Sequence, residues 1–261
     1  MKFIDRIKED YNKVKGQPRK EKLEFFWEYY KIPILCIVLA AALLVQGIVA
    51  LQNRKETVYS ATMLNCKLVL DESGFLDGFY QYAGIDPATS CAAFYTDMSI
   101  IDGRTQDNAT VLQRIMAGIA IQDTDFITGN PEAFHKCAYN TANMLMDLRN
   151  FFSAEELATF SDRLYYIDGA VMKQLNAPLG ENVDSALITF PDPRKPDEMT
   201  DPIPVGIDIT DRKMFCDVYY HDTYLTEKAT VYLGFVPNSQ RMDLNHKFVE
   251  YLFLPTAEET Q

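Results

Sequence analysis

Ile32-Pro33-Ile34-Leu35-Cys36-Ile37-Val38-Leu39-Ala40-Ala41-Ala42-Leu43-Leu44-Val45-Gln46-Gly47-Ile48-Val49-Ala50-Leu51 contains no charged residue. A helix over twenty residues at about 1.5 Å each is roughly 30 Å long, the thickness of a bilayer's hydrocarbon core. The stretch therefore predicts one membrane span and divides the chain into an inner segment (1–31), a span (32–51), a folded domain (57–255) and a polar tail (256–261). Its flanks agree. Trp27, Tyr29 and Tyr30 precede it where amphipathic rings settle at the interface, and Lys31, Arg54 and Lys55 bracket it. Gln46 is the one strongly polar residue within the run, and its place near the outer end lets it reach toward the headgroups.

Residues 1–31 hold nine Lys/Arg, and the stretch after the span holds Arg54, Lys55 and Lys67. That asymmetry predicts a cytoplasmic N-terminus and a single-pass plasma-membrane protein whose large C-terminal domain is extracellular. A cleaved signal peptide would have a shorter apolar run nearer the N-terminus and an A-x-A-like site. Here thirty-one residues precede the run, and Val49-Ala50-Leu51-Gln52 is a poor site. Phe3, Ile4, Ile7, Tyr11 and Val14 recur at helical spacing, which predicts an amphipathic helix on the inner leaflet or against a partner.

The whole chain of 261 residues carries a formal charge of −12. The inner segment is +3, which leaves −15 beyond it. So acidic a domain will not follow phosphate backbones, which argues against nucleic-acid binding. Four cysteines lie outside the membrane, Cys66, Cys91, Cys137 and Cys216, and allow either two disulfides or free buried thiols.

Along the outer domain, strand-like runs (58–70, 89–101, 125–128, 164–167, 186–190, 205–209, 231–236) alternate with helix-like runs (73–83, 109–121, after Pro131, after Ser153, 244–254). Asn108 and Asn130 read as N-caps, Pro131 as a first-turn proline, and Ser153-Ala154-Glu155-Glu156 as a capping box. The alternation predicts an α/β domain of three layers with a largely parallel sheet.

Certain phrases carry a resemblance. Asp125-Phe126-Ile127-Thr128-Gly129-Asn130-Pro131-Glu132-Ala133-Phe134, Met146-Asp147-Leu148 with Phe152 to Leu157, and Val231 to Ser239 with Phe248 to Leu252 are similar to segments of extracellular solute-binding proteins of the periplasmic-binding-protein type II class. The likeness spans roughly residues 58–252. Trp27-Glu28-Tyr29-Tyr30-Lys31 resembles the start of membrane-anchored proteins of Gram-positive bacteria. The resemblance implies one lobe of a solute-binding fold, reduced and held by a helix. A second lobe needs on the order of 100 residues, and the chain between Tyr166 and the next strand is too short for one.

No phosphate loop, dinucleotide fingerprint, H-E-x-x-H or G-x-S-x-G occurs, and the histidines His135, His221 and His246 are far apart. We therefore expect no catalysis, cofactor or metal. His135 and His246 read as surface or capping residues. The expected role is binding of a small solute or a protein partner; the alternative is an assembly subunit of a membrane complex with no small ligand. In an α/β sheet, ligands bind beyond the carboxyl ends of the strands. That rule selects Asp97, Asp102, Asn130, Tyr166 and Asp208. The aromatic cluster Tyr219 to Tyr224 adds Tyr219 and His221, whose rings suit a sugar or a peptide.

Overall fold

The computed structural model describes residues 9, 11–12, 15–16, 18–52, 54–67, 74–101, 104–177, 188–212, 219–220 and 230–254. The chain divides into two compact units, Met1–Arg54 and Lys55–Gln261. The first contains α1 (Arg19–Gln52), a continuous helix with Pro33 inside it. Within α1, Tyr30–Val49 has a mean hydropathy of 2.7 and is long and apolar enough to cross a membrane. The amphipathic pattern expected over residues 3–14 lies largely outside the described residues.

The second unit is a mixed α/β domain. Its strands are β1 (Glu56–Leu64), β2 (Cys66–Lys67), β3 (Ser90–Met98), β4 (Phe126–Gly129), β5 (Leu164–Asp168), β6 (Pro202–Asp208), β7 (Tyr219–Tyr220) and β8 (Tyr232–Phe235). Its helices are α2 (Phe75–Ala83), α3 (Thr105–Ala120), α4 (Pro131–Ala138), α5 (Ala154–Thr159), α6 (Gly169–Leu175) and α7 (Met242–Leu252). Six strands form one sheet in the order β3-β1-β4-β8-β6-β5, and β2 pairs with β7 in a separate ribbon.

The sheet is mixed, not largely parallel as the alternation predicts. Among the described residues only β3-β1 and β1-β4 are parallel, while β4-β8, β8-β6 and β6-β5 are antiparallel. Strands buried on both faces are near-continuous apolar runs, so their pattern does not reveal the sense of pairing. β8 inserts between β4 and β6 and runs against both.

Side chains alternate across β1. Tyr59, Ala61 and Met63 join one core with Phe75 and Phe79 of α2 and Phe248 of α7. Leu64 joins the other, with Ile115 of α3, Phe134 of α4 and Val171 of α6. In the first core, Phe126 and Phe248 stack at 4.8 Å and Phe79 meets Phe248 edge-on at 5.2 Å. In the second, Phe134 occupies a pit over two neighbouring glycines. A Cβ on Gly206 would come within 2.6 Å of its ring, and one on Gly234 within 2.9 Å.

Local signals behave as their chemistry dictates. Asn130 caps α4 by accepting from Ala133 N–H, with Pro131 in the first turn. Ser153 and Glu156 form a capping box at α5. Gly84 ends α2 in the left-handed region at φ 74°. Asn108 departs from its expected role. α3 starts three residues earlier, and the Asn108 amide instead donates to Ile101 O at 2.7 Å and accepts from Ile101 N at 2.9 Å. The strand expected at 58–70 stops at Leu64, because Asn65 turns into the left-handed region at φ 54°. No strand forms at Ile188–Phe190, and residues 186–187 lie outside the described set.

The amino edge of the sheet is tied by a buried carboxylate. Asp125, fully buried before β4, accepts from Ser60 N at 2.8 Å, Ser239 Oγ at 2.6 Å and Arg241 Nη1 at 3.1 Å. Asn245 extends this network, donating to Ser239 Oγ and accepting from Tyr59 OH at 2.9 Å. Cys91 and Cys137 are free thiols, so the two-disulfide framework does not form. Burial pushes the Cys137 thiol up to about 12.

Candidate functional site

β1, β3 and β4 are parallel, and β6 runs in the same sense, so Leu64, Met98, Gly129 and Asp208 end at one edge of the sheet. A pair of asparagines closes that edge. Asn65 accepts from Ile100 N at 2.7 Å and donates to Ile100 O at 2.7 Å, as a neighbouring strand would. The same Asn65 amide also donates to Asn130 Oδ1 at 3.0 Å.

Beside this edge, on the face covered by α4, is an open cleft of about 370 Å³. Pro131, Glu132, His135 and Lys136 of α4 form one wall, Pro193 the other, and Tyr165 of β5 and Tyr232 of β8 also line it. The volume is within the range of ligand pockets, and the lining combines apolar rings with a few polar atoms, as such pockets do. His135 Nδ1 lies 3.1 Å from the Tyr165 hydroxyl. Burial lowers the His135 pKa, helped by the neighbouring Lys136 cation, so the ring is neutral at pH 7. Burial raises Tyr165 far above the ordinary phenol range, and Tyr139 and Tyr232 add to this. Tyr232 is raised by burial and by Asp208; Arg194, hydrogen-bonded to it, partly offsets the rise. Uncharged phenols and an uncharged imidazole give the cleft hydrogen-bonding groups without net charge of their own.

The sequence-selected residues disperse. Asp97 is exposed on β3 and pairs with Arg114 at 2.9 Å. Asn130 is buried, and its oxygen is used by Ala133 N and Asn65. Its helix forms a wall of the cleft, so Asn130 acts there as a positioning group. Asp208 borders the cleft through Arg194, 3.2 Å away, and through Tyr232, its partner across the ladder. Tyr166 is three strands from β4, about 14 Å at ordinary strand spacing. It packs on the core opposite to the one that holds Tyr165. Asn130 and Tyr166 therefore do not share a site. Tyr219 lies on β7, where it pairs with Lys67. Asp102 and His221 lie outside the described residues.

The sequence reading missed His135, Tyr165 and Tyr232. The strands were visible in Leu164 to Ile167 and Val231 to Val236, and Pro131 announced the helix. Which face each tyrosine takes was fixed by register alone. Among the described residues no group of three or more His, Cys, Asp or Glu comes together to hold a metal.

No known protein family, curated protein or solved structure matches this chain.

Proposed function

We propose that this chain is a membrane-anchored binding module that displays its α/β domain on the extracytoplasmic side and binds an occupant in the cleft between α4 and Pro193, without catalysis. The observation that carries the reading is the cleft itself, a volume of about 370 Å³ with Tyr165, Tyr232 and His135 in its lining. The apolar helix supports anchoring. The Lys/Arg excess before it supports a cytoplasmic N-terminus. The resemblance to a solute-binding lobe agrees with a binding role.

The openness of the cleft favours a second reading. Pockets for small ligands bury roughly 70–90% of the ligand surface. An open cleft covers less, which suits a segment of a partner protein and makes the domain an assembly subunit.

Thermal unfolding of the full chain in nanodiscs, against sugars, amino acids and short peptides, separates the two. A solute at one hundred times its Kd adds about 2.7 kcal/mol and raises the midpoint by several degrees. The shift should vanish in a Lys136→Ala, Pro193→Ala double variant. A shift that survives in that variant rules out the cleft. A flat response from a cooperatively unfolding protein rules out the solutes tested and favours the assembly reading, which crosslinking in membranes then examines.

A further inference from the structure

We propose that residues 188–195 form a strap latched onto α4 through Phe190 and His135, and that the latch releases in mild acid. The strap has no helix or strand. It follows the outer edge of β5, where Tyr166 N donates to Pro193 O at 2.9 Å. Pro193 is thereby placed as a wall of the cleft.

Phe190 is itself 41% exposed and meets two rings. Its centroid is 4.8 Å from that of His135, edge-on at 86°, and 4.7 Å from that of Tyr139. His135 and Tyr139 are 4.9 Å apart, so the three rings form one cluster. Beyond Pro193 the strap is pinned differently. Arg194 donates to Asp208 and to the carbonyl of Asp162, which makes it the fixed end.

One side of His135 borders the cleft, and charging the ring favours water on the side that Phe190 covers as well. Two of its neighbours cannot yield. Tyr165 is 1% exposed within the second core. The Tyr139 hydroxyl accepts from Asp168 N at 2.9 Å. Phe190 is the movable cover. The charged groups on the elements around the imidazole are Glu132 and Lys136 on its own helix, Asp192, Arg194 and Lys195 on the strap, and Asp168 at the end of β5, which acts on Tyr139. Asp192 and Arg194 act on the adjoining Tyr165 and Tyr232. Burial, helped by Lys136, disfavours the imidazolium, so the folded His135 binds its proton less readily than the unfolded residue. Its contribution to closure is full above the ordinary histidine pKa of about 6.5 and is lost as pH falls below it. Each unit of separation between open and closed pKa changes the closing equilibrium about tenfold.

The test is hydrogen exchange of the full chain in nanodiscs at pH 7.5 and 5.5, with rates converted to protection factors to remove the intrinsic pH dependence. The reporter is the Tyr166 amide, and residues 126–129 in the sheet centre are the control. We expect Tyr166 protection to fall in acid while the control holds. His135→Gln should remove the pH dependence. Phe190→Ala should lower protection equally at both pH values. Constant Tyr166 protection in the unaltered protein overturns the proposal, as does a full acid response in His135→Gln. Should the Gln variant not fold, an acid response that persists in Phe190→Ala overturns it equally. The readout needs no ligand, so it stands apart from the binding reading of the cleft.

Discussion

Replacing Arg241 with Met tests whether the Asp125 network holds the amino edge of the sheet. Asp125 is fully buried, whereas the Arg241 side chain retains 26% exposure. The substitution removes the guanidinium at 3.1 Å and leaves the carboxylate with Ser60 N–H and the Ser239 hydroxyl. Breaking a buried ion pair by removing one partner costs about 3–5 kcal/mol, because the survivor is an uncompensated charge. The partial exposure of Arg241 and the two remaining donors place this case near the lower end, at about 3 kcal/mol. For a domain of this size that lowers Tm by about 6–12 °C. Urea unfolding of the full chain in detergent, followed by far-ultraviolet dichroism, measures the loss. A double-mutant cycle with Asp125→Asn isolates the pair, and a coupling of about 2 kcal/mol is expected for groups in one network. A loss below about 1 kcal/mol, with negligible coupling, would place the pair among ordinary surface ion pairs and show that Asp125 does not hold this edge.

Three further variants test the same physics. Asn65→Ala should cost about 3 kcal/mol in the same unfolding assay, because Ile100 N–H and C=O lose their partner and alanine must adopt φ 54°. Asn65→Gly should cost about 1 kcal/mol less, since glycine takes that conformation freely. The Asp211 carboxyl is held well below its usual range by hydrogen bonds from Arg212 and Arg163. Its stabilising contribution is present above the ordinary aspartate pKa of about 3.9 and is lost as pH falls below it. Stability measured from pH 6 down to pH 2 should therefore decline less steeply for Asp211→Asn than for the unaltered protein.

Some of this molecule was legible residue by residue. The uncharged run Ile32–Leu51 needs no tertiary context to read as a helix of membrane length, because each apolar side chain adds to the same transfer free energy wherever the chain goes. The caps at Asn130 and Ser153 and the first-turn Pro131 are equally local, since each acts within about four residues. Most strands of the α/β domain were found for the same reason.

Pairing was not local. The phrases Val205 to Ile209 and Val231 to Val236 read as buried strands whichever way they run, and the fold set three antiparallel neighbours beside the parallel trio. Sequence rules chose polar residues at strand ends, yet Asn130 is committed to holding its own helix, and Tyr166 faces away from Tyr165. The cleft is made instead by His135, Tyr165, Pro193 and Tyr232, which are drawn from four separated segments. The apolar helix, the caps at Asn130 and Ser153 and the α/β alternation are legible from the chain alone, because they depend on nearby residues; the Asn108 cap is not, because its amide is taken by Ile101. Strand pairing, the face each tyrosine takes and the place of the cleft come from the tertiary fold, because they depend on register and contact between residues that are distant in sequence.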